Sequence, residues 1–460
     1  MTEGWRTPQQ REMDGILYSS AWRRLRGVTQ VMPITGGVSK SHDRLTHSLK
    51  VAQVGMRFAQ YLRFTDAANS EMIIPEAVYV AGMAHDLGHP PFGHIAENEL
   101  QRILTHKDYK WRLEDSFEGN AQSFRILTRL AKKRSEPPGG GLGLSAESLA
   151  ACTKYPWAYG QAKAVLGEDA YNKNPSYFDR KWGYYDSDQK AWQRVLDANL
   201  YAGSVYSPNA KLMDIADDVT FAIHDILDYF RRHLIPLHEI GAGLQKAAKS
   251  GVGRFEEYER FDAYAMNSLT IAKDLNTTVR NKVAAKEWLG HLEYPRARYS
   301  DTDEERRALH NFETEAVSAV QQSFKIVRGI PQIPDEVRLA LEYLKELTWF
   351  YVINHPHLSA SQMGQRRIIR ELHEWICLWV ESSQSNEGDY KYERDERDTQ
   401  RLPGRLQSLL QSSKDSETTE EARISRSVVD FISSLTDAEA ISLHHQLGGA
   451  NPAIEEVSWL

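Results

Sequence analysis

Apolar residues recur every three or four positions along most of this 460-residue chain, and that spacing is the strongest constraint on its fold. Leu45, Leu49, Ala52, Met56 and Ala59 form one such stripe, and Leu212, Ile215, Val219, Ile223, Ile226 and Phe230 form another. The stretches Val337 to Tyr351 and Arg366 to Trp379 read the same way. A stripe of this kind winds onto one face of an α-helix and must be covered by other helices. Period-two alternation is scarce, and the best strand candidate is the short run 29–34 before Gly36 and Gly37. The spacing therefore predicts an all-α fold with little or no β structure.

A hydrophobic share of 41% supplies a substantial core, and 26% charged residues suit a solvated surface. The net charge of −7 argues against a protein that wraps nucleic acid by bulk electrostatics, so small anions would need specific sites. With only Cys152 and Cys377, neither a disulfide framework nor a cysteine zinc site can be built, and a reducing, cytoplasmic location is expected. The start of the chain is polar, and the most apolar early stretch, Met72 to Ala84, is broken by Pro75 and Glu76. No signal peptide and no membrane span are expected. Segments 135–143 and 383–420 lack apolar periodicity and read as solvated loops inserted into one unit. No repeat of fixed period is visible.

The segment AHDLGHPPFGH, from Ala84 to His94, carries most of the chemistry. Adjacent His85 and Asp86 offer one nitrogen and one oxygen to a divalent cation, which one pair cannot fully coordinate. Further donors must come from other helices, and His47 in RLTHSLKVA and Asp217 in LMDIADDVTF lie in amphipathic patterns far along the chain. Helices converging in a bundle core would assemble such a site. For any one histidine a hydrogen-bonded core or surface group is the commoner case, so these residues alone leave the site open.

The match is much longer than one dipeptide. RLTHSLKVAQ, AHDLGHPPFGH, FEGNAQSFRIL, KYPW, KWGYYDSD, IADDVTFAIHD and VVDFISSLTDAEA resemble, in this order, blocks of the bacterial dGTP triphosphohydrolases of the HD superfamily. The resemblance runs from Arg6 to about residue 447. It implies an HD-domain helical bundle with a C-terminal helical extension: one dGTPase-like unit over 1–460, a metal-binding core over 40–230 and a helical part over 231–460. It makes His47, His85, Asp86 and Asp217 the ligands of a divalent metal, manganese or magnesium first, with iron, cobalt or nickel also compatible with such a set.

His94 and Glu97 share a helical face, and a carboxylate beside an imidazole fixes its tautomer and raises its basicity. The resemblance makes His94 the general acid or base and Glu97 its orienting partner. It turns His89, held near His94 by Pro90 and Pro91, toward the substrate phosphates, although His89 could instead cap the loop. Arg44, on the His47 face, becomes a phosphate contact, and Asn120, Lys154, Tyr155 and Lys181 join the substrate pocket. Gln30 and Asp225 are matched to 3′-hydroxyl recognition, and Asp217, Phe221 and Asp225 are read as one stripe at i, i+4, i+8. Two departures stand out. Phe221 replaces the family's usual tyrosine, removing a hydroxyl while leaving a ring to crowd a ribose 2′ carbon, and Val28 replaces a common lysine.

The activity so implied is hydrolysis of a deoxynucleoside triphosphate, dGTP favoured, to deoxynucleoside and tripolyphosphate. The rivals are an HD-type phosphodiesterase or nucleotidase, against which KYPW and KWGYYDSD argue, and a catalytically silent nucleotide- or DNA-binding regulatory module. The resemblance further implies a homo-oligomer, hexamer or tetramer, and single-stranded DNA or a dNTP as allosteric effector. Nothing in the C-terminal third marks a guanine-specific pair of groups.

Overall fold

The computed structural model describes residues 5–30, 43–131, 141–201, 203–249, 255–271, 278–384, 402–413 and 417–449. Among them helices dominate, as the apolar spacing predicts, and the only strands are Lys325–Val327 and Ile330–Gln332. The fold is all-α.

Pro75–Ala84 lies at the centre. It is apolar on every side, with Ala77, Val78, Val80, Ala81, Met83 and Ala84 all buried. A helix without a polar face must be surrounded, and it packs against Pro8–Leu17, Arg44–Thr65, Ala146–Cys152 and Pro208–Val219. Pro75 starts it at the one position where a missing N–H is harmless. Arg44–Thr65 starts at Asp43, whose side chain accepts the Thr46 amide at 2.8 Å. A second apolar cluster joins Leu100, Ile103 and Leu104 to Ile369, Leu372, Ile376, Val428 and Phe431 of the C-terminal helices. Arg125, fully buried, ties the two halves: its Nε and Nη2 donate to Asp430 at 2.9–3.0 Å. Charge-assisted, bidentate pairing of this kind is what makes a buried guanidinium tolerable.

The Leu212 stripe is buried at all six positions, but the helix carrying it is not uniform. Pro208–Val219 passes through a π-helical segment, Thr220–Asp225, before resuming as Ile226–Arg231. The Leu45 stripe needs correction. Leu49 is 44% exposed, and the buried face is instead Arg44, His47, Ser48, Val51, Ala52, Gly55, Phe58, Ala59 and Leu62. That face begins with polar side chains because it walls the candidate site, and apolar periodicity cannot report a polar wall.

The strand expected over 29–34 is not seen where described: Thr29 makes one isolated bridge to Asp43, Gln30 is a bend, and 31–34 lie outside the described residues. The real hairpin turns at Arg328 and Gly329, both with positive φ (51° and 76°), as a two-residue connection requires. Of the first expected loop, 135–140 lie outside the described residues, but Leu142 is buried in the core. Within the second, Gly404–Ser412 is a helix burying Leu406, Leu409 and Leu410, while 385–401 and 414–416 lie outside. Among the described residues no helix is long and apolar enough to cross a membrane. Both cysteines are free and buried.

Candidate metal centre and substrate pocket

Three helices bring the metal donors together. His47 comes from the first turn of Arg44–Thr65, His85 and Asp86 follow the C-terminus of Pro75–Ala84, and Asp217 sits in Pro208–Val219. Donor atoms of His47, His85 and Asp86 all lie within 4.8 Å of one another. Asp217 Oδ1 is 3.1 Å from His47 Nε2 and 3.7 Å from His85 Nε2. His85 Nδ1 donates to the Gly82 carbonyl at 2.8 Å, so a neutral imidazole turns the lone pair of Nε2 into the cluster. There it meets carboxylate oxygens, Asp86 Oδ2 at 3.6 Å and Asp217 Oδ1 at 3.7 Å, and among the described residues Nε2 has no hydrogen-bond partner. A divalent cation between this nitrogen and the two carboxylates would satisfy all three, so the donor set fits a divalent metal. The Nδ1 bond to Gly82 is the outer contact that ligating histidines need for orientation.

The carboxylates give the cluster a negative potential for which a proton and a metal ion compete. Burial opposes protonation of His47, yet Asp225 and Asp217 outweigh it and push the imidazole up to about 10. Burial likewise opposes ionisation of Asp86, but Arg44, aided by His85 and His89, holds the carboxyl well below its usual range. Arg44 is 1% exposed, with Nη1 2.7 Å from Asp86 Oδ2, while its Nε and Nη2 have no hydrogen-bond partner among the described residues. A buried guanidinium with spare donors beside a metal set is prepared to receive an anion.

The loop between Asp86 and His94 depends on two glycines. A Cβ on Gly88 would stand 2.1 Å from the Gly119 carbonyl oxygen and 2.2 Å from the Ser123 amide, so only glycine lets the loop rest on the helix Gly119–Arg125. Gly93, at φ +60°, turns the chain into the helix His94–Leu104. His94 is exposed there, with Nδ1 2.8 Å from Oε2 of buried Glu97. His89 is buried between the two regions, Nδ1 3.1 Å from Asp86 and Nε2 3.7 Å from Glu97. Burial, with Arg44 adding to it, pushes His89 down to about 4, so its imidazole stays neutral.

His89, His94 and Glu97 also cluster within 4.8 Å, but a cation already serves them. Lys181 Nζ donates to Glu97 Oε1 and to Glu118 Oε1, 2.9 Å each. Burial works against its charge, and the two carboxylates reverse that and push the ammonium well above its usual range. Asn120 faces the same node through Nδ2 to Glu118 Oε1 at 2.8 Å. Lys154 lies on the metal side, 2.5 Å from Asp214 and 3.8 Å from Asp217. The Tyr155 hydroxyl is bonded to that of Tyr177 at 2.5 Å.

Asp225 lies against the other edge of His47, Oδ1 3.6 Å from Nδ1. In a regular α-helix residues eight apart diverge by about 80°; the π segment absorbs one residue, so the pair behaves as i, i+7 and diverges by about 20°. The single stripe read from the sequence thus needs the π segment to exist. Phe221 is half-buried within it, and Gln30 is half-buried beside the Thr29–Asp43 bridge, its Oε1 without a hydrogen-bond partner among the described residues.

Two groups escaped the sequence reading. Asp214, one helical turn before Asp217, was legible from spacing as a neighbour on the same face. Glu118, fully buried, caps Gly119–Arg125 by accepting the amides of Asn120 and Ala121. An acidic residue just before a helix start was its only signal.

Comparison with known proteins reinforces this geometry. Residues 44–222 match the HD domain, and residues 332–446 match the phosphohydrolase-associated domain. A deoxyguanosinetriphosphate triphosphohydrolase-like protein of Streptomyces coelicolor is 32% identical over 96% of this chain and 93% of its own. The chain belongs to the HD-domain dGTP triphosphohydrolase-like family. Relatives with the same description in Corynebacterium glutamicum (29% identity, 81% of this chain and 80% of theirs) and Vibrio parahaemolyticus (25%, 96% and 93%) extend the likeness. As an HD-family phosphohydrolase, it carries its four candidate metal donors within the HD-matched residues. The phosphohydrolase-associated match contains Asp430, the partner of Arg125 in the HD-matched part, so the two family regions share one buried ion pair.

Proposed function

We propose that the protein hydrolyses a deoxynucleoside triphosphate, dGTP favoured, to the deoxynucleoside and tripolyphosphate. The observation that carries this reading is the distribution of charge. Donors for a metal (His47, His85, Asp86, Asp217), the His94–Glu97 pair and the cations Arg44, Lys154 and Lys181 are linked by neighbouring contacts, Arg44 to Asp86, Lys154 to Asp217 and Lys181 to Glu97. The names of the relatives point to the same substrate class.

A divalent metal, manganese or magnesium, held by the four donors supplies Lewis acidity toward a phosphoryl oxygen and the attacking water. Arg44 meets the phosphate with its spare guanidinium donors, Lys154 and Lys181 spread the developing charge, and His89 and Asn120 orient the chain of phosphates. His94, its tautomer fixed by Glu97, protonates the departing 5′-oxygen. Gln30 and Asp225 bind the 3′-hydroxyl, Tyr155 lines the pocket, and the Phe221 ring crowds the 2′ position. We assign the working form to a homo-oligomer.

Incubating dGTP and GTP with the protein and manganese, then separating products by ion exchange, tests this reading. Equal amounts of deoxyguanosine and tripolyphosphate are expected, with GTP cut poorly. Release of dGMP and pyrophosphate, or equal turnover of GTP, would overturn it.

A further inference from the structure

The relation between Lys181 and Glu118 has no part in the chemistry proposed above. Lys181 reaches the pocket from a loop, and its ammonium is held by carboxylates on two different helices. Glu97 also serves His94 through its other oxygen. Glu118 reaches the chemistry through Lys181 and Asn120. Its Oε2 accepts the amides of Asn120 and Ala121, and its Oε1 accepts Asn120 Nδ2 and Lys181 Nζ. Four donors around a side chain that is 0% exposed fix its place, and they favour its charged form against burial and Glu97, which together push the carboxyl above its usual range. A helix N-terminus needs no buried glutamate for capping alone, since serine, threonine or aspartate serve at the surface.

We propose that Glu118 is a positioning residue that holds Lys181 midway between itself and Glu97, and so keeps Glu97 free to support His94. With Glu118 charged, the ammonium is shared. Without that charge Lys181 collapses onto Glu97, which loses its strength as an acceptor for His94, while the ammonium leaves the place where phosphate charge develops. The groups facing Glu97 are then His94, His89 and Lys181, with no second carboxylate to balance the lysine. This inference rests on the roles given above to Lys181, Glu97 and His94.

Wild-type turnover of dGTP with manganese is measured first; its absence would sink the proposed function and not this relation. In Glu118→Gln, which keeps the size of the side chain and one amide acceptor, kcat should fall about tenfold. Its pH–rate profile should move by about half a pH unit or more, with metal content unchanged. A merely structural cap would lower the melting temperature and leave the profile in place, and that result overturns the proposal, as does a wild-type rate. Should Glu118→Gln not fold, Glu118→Asp carries the same test: it keeps charge and cap but withdraws from Lys181, and again the profile must move.

Discussion

His94 Nδ1 lies 2.8 Å from Glu97 Oε2, an exposed imidazole tethered to a buried carboxylate one turn further along the same helix. With Nδ1 engaged by Glu97, Nε2 is the nitrogen that would exchange a proton with a bound ligand. His94→Ala should retain metal and nucleotide affinity and lose roughly 10²-fold or more in kcat, with Glu97→Gln milder. Single-turnover kinetics beside a binding isotherm separate the two effects. An unchanged rate in His94→Ala would remove this residue from the chemistry.

His85→Ala and Asp86→Ala should each lose metal and activity together, because each removes a donor that the remaining set cannot replace. Metal analysis of the purified variants is the check. Stoichiometric metal with normal turnover in either one contradicts the assigned centre.

Gly88→Ala tests the loop that carries these residues. The added Cβ would press on backbone atoms of Gly119 and Ser123 at 2.1–2.2 Å, which cannot give as a flexible side chain would. A loss of about 1–3 kcal/mol is expected, as for other overpacked sites, together with weakened metal binding as Asp86 is displaced. Urea unfolding and metal titration report the two, and a variant as stable and as metal-competent as the parent would refute the close contact.

Acid should weaken the C-terminal half through His373. Burial pushes this imidazole down from 6.5 to about 3, with Ser425 opposing. The unfolded chain therefore takes up a proton that the folded chain refuses. Stability is full above about pH 6.5 and falls as the pH drops toward about 3, by up to about 1.4 kcal/mol per unit. His373→Gln in the metal-free protein should lose less between about pH 7 and about pH 4, as urea midpoints would show. Parallel losses in parent and variant would exclude the effect.

Much of this was legible in the sequence, and the exceptions have causes. The Leu212 stripe, buried at every position, reports a helix whose whole core face is apolar. The Leu45 stripe misled because Arg44, His47 and Ser48 occupy the buried face there, so Leu49 reads as inward and is outward. His47, His85, Asp86 and Asp217 emerge through resemblance, since residues so far apart in the chain announce no convergence by themselves. Glu118 and Asp214 escape notice because each looks like an ordinary helical acid until Lys181 and Lys154 are seen against them. The Arg328–Gly329 hairpin is missed because strands of three residues are too short to show alternation.

The π-helical turn at Thr220–Asp225 makes the pocket a matter of counting as well as of chemistry. Every side chain in that stretch could be kept in kind, and rewinding the same residues into a plain α-helix would still swing the downstream side chains by about 100°. Asp225 would then leave His47 although neither had been replaced. In families that share this helix, a chain one residue shorter there would hold the same downstream register with a plain α-helix, so a single-position alignment gap marks the loss of the turn and not of the site.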